Sequence, residues 1–166
     1  MNNFFFHFKF RLKKYLNKLG ISFADRALMV PKMTYREVCF FTDYLTENLS
    51  ALYLESGSGG STLIANFLGF KFHSYETSEG YTAYMNQPVI IFLDGRCRVL
   101  TALHIHANLS GEDSVLVHDF TRLKYQDILQ AYQIIDQADS LVLLQKKTIA
   151  NDVLQQLKKK YDLDIE

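Results

Sequence analysis

The sequence predicts an α/β fold, a doubly wound and mostly parallel sheet with helices on both faces. Short, continuously apolar runs alternate along the chain with segments of helical periodicity. Strands of that kind are typical of a sheet that helices cover on both sides. The chain has 166 residues, 48% of them hydrophobic, which suits one domain with a substantial core rather than two domains.

Each predicted element rests on a local pattern. Thr34 is a candidate N-cap, and Glu37 follows it at capping-box spacing, so a helix is predicted to begin at residue 35. Gly69 is placed to end a later helix, and Ile135 is predicted to face inward from another. The predicted helices cover residues 35–49, 61–68, 96–109, 125–135 and 149–161. The predicted strands cover residues 51–55, 70–75, 89–93, 114–117 and 140–144.

The chain divides into an amino-terminal segment, residues 1–33, and a single α/β domain, residues 34–166. Residues 1–24 contain five lysines and arginines and no acid, with phenylalanines interleaved. Within residues 4–19 the apolar side chains recur at helical spacing and leave a basic opposite face. Such a helix either packs against the sheet of its own domain or binds a partner or an anionic membrane surface.

The composition excludes several classes of protein. Eighteen basic and eighteen acidic residues cancel, so no nucleic-acid partner is expected from the overall charge. Cys39 and Cys97 fit neither a disulfide framework nor a zinc pattern, which indicates a reducing, cytoplasmic location with both side chains in the core. No apolar run approaches the roughly 18–20 residues that a transmembrane helix needs.

Ionisable residues follow four of the predicted strands. They are Glu55, Glu76, Asp94 and the pair His118 and Asp119. In a sheet of this kind, ligands bind at the carboxyl ends of the strands, near the point where the strand order reverses. Four apolar strands that each end in an acid are harder to explain by packing alone than any single case. We therefore expect a binding site at this edge of the sheet.

A glycine-rich turn follows the first strand and leads into a helix. It contains Gly57, Ser58, Gly59 and Gly60, and glycines there allow a close backbone approach to a ligand at a helix amino terminus. Glu76 comes about 20 residues later, the spacing at which an acid reaches the ribose hydroxyls in dinucleotide folds. The alternative is a tight turn with Glu76 exposed to solvent.

The segment Tyr53-Leu54-Glu55-Ser56-Gly57-Ser58-Gly59-Gly60-Ser61-Thr62 resembles the first motif of class I S-adenosylmethionine-dependent methyltransferases. More narrowly, it is similar to a bacterial methyltransferase-like family with a Glu-x-Gly-Ser-Gly-Gly-Ser-Thr turn. That family also has an Asp-Gly-Arg-Phe-Arg-Val segment and a later acid-Tyr pair. The counterparts here are Asp94-Gly95-Arg96-Cys97-Arg98-Val99 and His118-Asp119-Phe120. The resemblance spans roughly residues 35–145.

The resemblance implies a Rossmann-like methyltransferase fold that binds S-adenosylmethionine. Glu55 and the turn residues would hold the methionine end of the cofactor; those turn residues are Gly57, Ser58, Gly59 and Gly60. Glu76 would accept hydrogen bonds from the ribose. Asp94 and Asp119 would face the methyl acceptor, with His118 or Asp119 as a base. The stretch between Glu76 and Asp94 is shorter than in the family, which usually has a further helix, strand and loop there, so the fold is expected to be reduced.

Three neighbouring residues leave alternatives open. Arg96 and Arg98 either bind a carboxylate or phosphate of the acceptor or pair with Asp94 or Asp119. Cys97, between them, is expected to pack in the core rather than act as a nucleophile. Asp94 and Asp119 resemble the carboxylates that hold magnesium in catechol-type O-methyltransferases, but two carboxylates are too few, and no metal is assigned.

Two functions remain open, because the glycine turn lacks the lysine of a phosphate-binding P-loop and so disfavours a third, a nucleotide-dependent enzyme of another class. The first is a methyltransferase that acts on a small-molecule or glycan-type acceptor. The second is a non-catalytic module that binds a protein partner or a membrane surface. The short segment before Asp94 favours the second, whereas the intact glycine turn with Glu76 favours the first. A truncated sheet with an unpaired edge strand would also favour a homodimer.

Overall fold

The computed structural model describes residues 32–56, 60–70, 72–74, 87–95 and 97–162. Several predictions lie outside these residues. They concern most of the amino-terminal segment, with the proposed membrane contact of residues 4–19, and the site residues Gly57, Ser58, Gly59, Glu76 and Arg96.

Six strands and four α-helices form the described part of the chain. The strands are β1 Leu52–Ser56, β2 Phe72–Ser74, β3 Val89–Leu93, β4 Ser114–Val117, β5 Tyr132–Ala138 and β6 Leu141–Lys146. The α-helices are α1 Tyr35–Glu47, α2 Gly60–Phe67, α3 Arg98–Ile105 and α4 Asn151–Asp162. Two 3-10 helices, His106–Asn108 and Leu123–Gln130, complete the set.

The strands form one sheet in the order β2-β1-β3-β4-β6-β5. Strands β1 to β4 pair in parallel, whereas β6 is antiparallel to both β4 and β5. The predicted parallel pairing is therefore found in four neighbouring strands, and an antiparallel hairpin forms the remaining two. The predictions for β3 and β4 are confirmed at both ends.

Helices cover both faces of this sheet. On one face, α1 and α2 contribute Phe41, Leu45 and Ile64 to a core that contains Tyr53 and Phe92 from the strands. The opposite core joins side chains of α3, α4 and the longer 3-10 helix to the other alternating set of strand residues. Every side chain of β3 is buried because both faces of this central strand are covered.

Two helix ends match the sequence signals. Thr34 caps α1, where its side chain accepts from the Glu37 backbone and the Glu37 side chain accepts from the Thr34 backbone. The predicted capping box is confirmed. Gly69 follows α2 with φ +90°, a conformation that L side chains rarely adopt, so a glycine ends this helix as expected.

The predicted helix over residues 125–135 is wrong. Residues Leu123–Gln130 form a 3-10 helix, and Tyr132–Ala138 form strand β5, where Ile135 is 52% exposed rather than inward-facing. Strand β5 turns into β6 through two residues, of which Asp139 has φ +50°. Aspartate tolerates this left-handed conformation, but the pair Asp139 and Ser140 lacks the glycine that usually marks such a turn.

The core placement predicted for the cysteines is also wrong. Cys97 is exposed, and Cys39 is only half-buried. Cys97 occupies the N-cap of α3 with φ +57°, so it lies in the turn before the helix rather than on its buried face. Among the described residues, no helix combines the length and the apolar content needed to cross a bilayer.

Candidate functional site

The carboxyl ends of β1, β3 and β4 lie side by side. Ser56 is in register with Leu93, and Leu93 with Val117. The pairing continues past the strands, because the Asp94 backbone donates to the Ser56 carbonyl over 3.0 Å and the His118 backbone to the Leu93 carbonyl over 3.2 Å. The sheet thus brings Glu55, Asp94, His118 and Asp119 to one edge, where the sequence predicted a site.

Gly95 allows the ends of β1 and β3 to approach closely. A Cβ atom at this position would lie 3.1 Å from the Ser56 Oγ and 3.2 Å from the Ser56 carbonyl oxygen. Contacts that short are tighter than nearly all real Cβ contacts. A side chain at residue 95 would therefore push the loop after β3 away from the loop after β1.

Glu55 connects the end of β1 to the start of α2. Its buried carboxylate accepts a hydrogen bond from the Ser61 hydroxyl and another, of 2.8 Å, from the Thr62 hydroxyl. Burial raises the pKa of Glu55, and the hydroxyls of Ser61, Thr62 and Tyr53 oppose this effect only in part. Among the described residues, no lysine, arginine or histidine pairs with this carboxylate.

Tyr53 lies on the same face of β1 as Glu55, two residues earlier. Its hydroxyl is buried and makes no hydrogen bond of ordinary geometry with any described residue. Burial, followed by the negative charge of the nearby Glu55, raises the pKa of Tyr53 well above its usual value. The hydroxyl is therefore protonated and lies close enough to the Glu55 carboxylate to interact with it.

His118 lies among three carboxylates. Its Nδ1 atom is 2.9 Å from the Asp94 Oδ1, and its Nε2 atom is 3.5 Å from the Glu37 Oε2 and 3.9 Å from the Asp119 Oδ1. Burial alone would lower the pKa of His118. The hydrogen bond with Asp94 and the charges of Asp94, Asp119 and Glu37 outweigh that effect and raise it.

Glu37 is the site residue that sequence reasoning missed, because the capping box already explained it. It is 1% exposed, and its carboxylate accepts from the Thr34 backbone and from the backbone and hydroxyl of Ser140. A signal was present in the sequence. Glu37, Phe41 and Leu45 recur every four residues, so Glu37 belongs to the buried stripe of α1.

Arg98, at the start of α3, joins the loops after β3 and β4. Its guanidinium donates to the Gly95, Asp94 and His118 carbonyls. It also pairs with the Asp94 carboxylate at 3.1 Å and with the Asp119 carboxylate at 3.5 Å. Arg98 is buried, so this structure uses it to hold the site together, which is the ion-pair alternative from the sequence.

Asp119 lies at the rim of the site, with φ +57° directly after β4. Its Oδ2 atom is 2.7 Å from the exposed Arg122 guanidinium. The guanidinium groups of Arg98 and Arg122 both lie over the Tyr125 ring, 5.5 and 5.8 Å from its centre. No group of three or more potential metal ligands occurs within the described part of the chain.

Comparison with known proteins adds one finding about the fold. The sequence matches no protein-family model and no curated protein. In structure, the chain is similar to a methyltransferase-like protein from Silicibacter pomeroyi, with 17% sequence identity and a TM-score of 0.58. The similarity covers 80% of this chain and 98% of that one. This chain has a methyltransferase-like fold. At that identity, the likeness concerns the fold and not the activity.

Proposed function

We propose that the protein is an S-adenosylmethionine-dependent methyltransferase for a small-molecule or glycan-type acceptor, built on a shortened, doubly wound sheet. One observation carries the proposal. The buried Glu55 carboxylate lies near the end of β1, two residues before the glycine turn, and has no cation partner among the described residues. Burying a carboxylate without a cation is costly, so a positively charged ligand at this position would be stabilised.

The residues of this edge fit S-adenosylmethionine, which carries a positively charged ammonium and a sulfonium. The Glu55 oxygens each accept one hydroxyl and have further lone pairs for a cationic group. The Tyr53 hydroxyl lies beside them. Gly60 begins α2, and a helix amino terminus favours a carboxylate such as that of the methionine moiety. The ribose would go to Glu76, as the resemblance implies.

When bound, the cofactor supplies a methyl group on a sulfonium, and the chain's own residues position the acceptor. His118 is poorly suited to accept a proton, because both of its nitrogens face carboxylates. Asp119 is partly exposed at the rim and is the better base for an acceptor hydroxyl or amine. Asp94 would orient the acceptor, and Arg98 would hold both aspartates in place.

Isothermal titration with S-adenosylmethionine and S-adenosylhomocysteine tests the proposal. We expect micromolar binding of both by the wild-type protein. Gly59→Asp should abolish it, and Glu55→Gln should weaken it at least about tenfold by removing a charge that faces a cation. Glu112→Gln is the matched control, because Glu112 is exposed before β4, at the other edge of the sheet. The absence of both heat and a thermal shift at millimolar cofactor would rule out the enzyme.

A second candidate is a non-catalytic module that binds a partner, including a second copy of this chain. Strand β5 is the outermost strand on one side of the sheet and exposes Ile134 and Ile135. Leu123 is 89% exposed. A bulge between Ile134 and Asp136 interrupts the regular pairing of β5 and makes edge-to-edge addition harder. Sedimentation analysis tests the homodimer, and liposome co-sedimentation with and without residues 1–24 tests membrane contact.

A further inference from the structure

His118 connects two elements that are far apart in sequence. Glu37 approaches it from α1, and Asp94 approaches it from the loop after β3. Asp119 faces it from its own loop, and Arg98 of α3 donates to its backbone carbonyl. These four residues are the charged groups that surround the imidazole in the described part of the chain. The imidazole itself is only 7% exposed.

The carboxylates on both sides of the ring favour its doubly protonated form. A neutral imidazole has one donor nitrogen and one acceptor nitrogen. In that form, a nitrogen lone pair would face a carboxylate, either Asp94 at 2.9 Å or Glu37 at 3.5 Å. The imidazolium donates to Asp94 through Nδ1 and places its positive charge, at Nε2, 3.5 Å from the Glu37 carboxylate. The arrangement therefore favours the charged ring in a place where burial alone would disfavour it.

The charged ring fixes the orientation of Asp94. The Oδ1 atom of Asp94 is hydrogen-bonded to His118 Nδ1 and lies 3.1 Å from Arg98 Nη2 in an ion pair. Its Oδ2 atom has no hydrogen-bond partner among the described residues, and the side chain is 29% exposed. Oδ1 is thus held by His118 and Arg98, whereas Oδ2 makes no hydrogen bond within the described part of the chain.

We propose that Glu37 is a positioning residue of this site: its carboxylate holds His118 as the imidazolium, which fixes Asp94 with one oxygen open to the ligand. Glu37 is suited to this role because hydrogen bonds hold both of its carboxylate oxygens in place. One oxygen accepts from Ser140, and the other accepts from the Thr34 backbone beside His118. The ligand part of the inference rests on the proposed function, whereas the link from Glu37 to His118 does not.

The test compares Glu37→Gln with Thr34→Ala. Both substitutions weaken the cap of α1, but only Glu37→Gln removes the charge beside His118. NMR titration of the His118 ring gives its pKa in each protein without any ligand. Titration calorimetry with S-adenosylmethionine between pH 5.5 and 8 then gives the pH profile of binding.

For Glu37→Gln we expect a lower His118 pKa than in the wild type. The affinity of this variant for S-adenosylmethionine should match that of the wild type at low pH. Above the lowered His118 pKa, it should fall by up to about tenfold per pH unit. Thr34→Ala should keep the wild-type titration and pH profile despite its lower stability. A purely structural role would lower stability in both variants and leave both profiles alike.

The outcomes separate the two proposals. An unchanged His118 pKa in Glu37→Gln, or a pH profile of binding parallel to that of the wild type, overturns the inference and leaves the proposed function intact. If the wild type binds no cofactor, the proposed function fails. The His118 titration alone then decides the Glu37 link, which a lowered pKa supports and an unchanged one overturns.

Discussion

The carboxyl and amino ends of the parallel strands form two edges of the sheet. Each of these edges buries a histidine, and the two rings have opposite surroundings. His118, where β1, β3 and β4 end, faces three carboxylates, and its pKa is raised. His106, at the other edge, faces the carbonyls of Ala131 and Lys147 at 3.1 and 3.0 Å. Burial lowers the pKa of His106, and the nearby Lys146 adds to that effect, although the carbonyl acceptors oppose it.

The two histidine residues are equally inaccessible, at 5% exposure each, so burial does not explain why their pKa values differ. Charged partners decide the outcome. At the His106 edge, neutral backbone carbonyls accept from the ring, and Lys146 donates to the carbonyls of His106 and Leu109. Such contacts satisfy the polar backbone groups at this end of the core. At the His118 edge, carboxylate, guanidinium and imidazole groups pair with one another.

The largest effect at the His118 edge should come from Arg98. Arg98→Ala leaves Asp94 and Asp119 without their buried cation, and we expect it to lower the free energy of unfolding by about 3–5 kcal/mol. Arg122→Ala removes an exposed partner of the same Asp119 and should cost less than about 1 kcal/mol. Urea unfolding measures both. Equal costs would show that the ionic network does not depend on the buried guanidinium.

Glycine substitutions sharpen the comparison at the level of the backbone. Gly95→Ala forces a Cβ against Ser56 and should cost about 1–3 kcal/mol. Gly111→Ala, at the opposite edge, meets nothing within 4 Å and should be neutral or slightly stabilising. Thermal unfolding of the two variants tests this pair. A Gly95→Ala protein as stable as Gly111→Ala would contradict the close approach of β1 and β3.

The pH dependence of stability should have opposite signs for the two histidines. The raised pKa of His118 gives stability that is complete below about pH 6.5, the unfolded value, and is lost as pH rises through the folded pKa. The lowered pKa of His106 gives stability that is complete above about pH 6.5 and is lost as pH falls through its folded pKa.

Single variants isolate the two contributions. His118→Gln should remove the loss on the alkaline side, and His106→Gln should remove the loss on the acid side. Each pKa unit of difference corresponds to about 1.4 kcal/mol. Urea unfolding at several pH values between 5 and 8 gives both profiles. Profiles of the same sign would contradict the opposite surroundings of the two rings.

Local signals predicted the parallel half of the sheet well. The bounds of β3 and β4 follow from uninterrupted apolar runs, and the start of α1 follows from its capping box. Because parallel strands end at one edge, the meeting of Asp94 and His118 could also be expected. These features depend on residues that are close in sequence or on the geometry of the fold class.

What the sequence did not predict depends on partners that are distant in the chain. Strand β5 has apolar residues at spacings that also suit a helix, and its pairing with β6 decides the matter. Glu37 serves Thr34 three residues away, but its second role needs His118, which only the folded sheet brings near. Likewise, the two alternatives for Arg98 were equal until its burial between two aspartates was visible.

NMR titration of the histidine rings, with and without S-adenosylmethionine, is the most direct test that the His118 edge is charged and binds a ligand. The variants His118→Gln and His106→Gln assign the resonances. We predict that His118 titrates above the ordinary value of about 6.5 and His106 below it, and that the cofactor shifts the His118 signals and not those of His106. A His118 ring that titrates below that value, or a saturating cofactor that leaves the ring unchanged, would contradict the account.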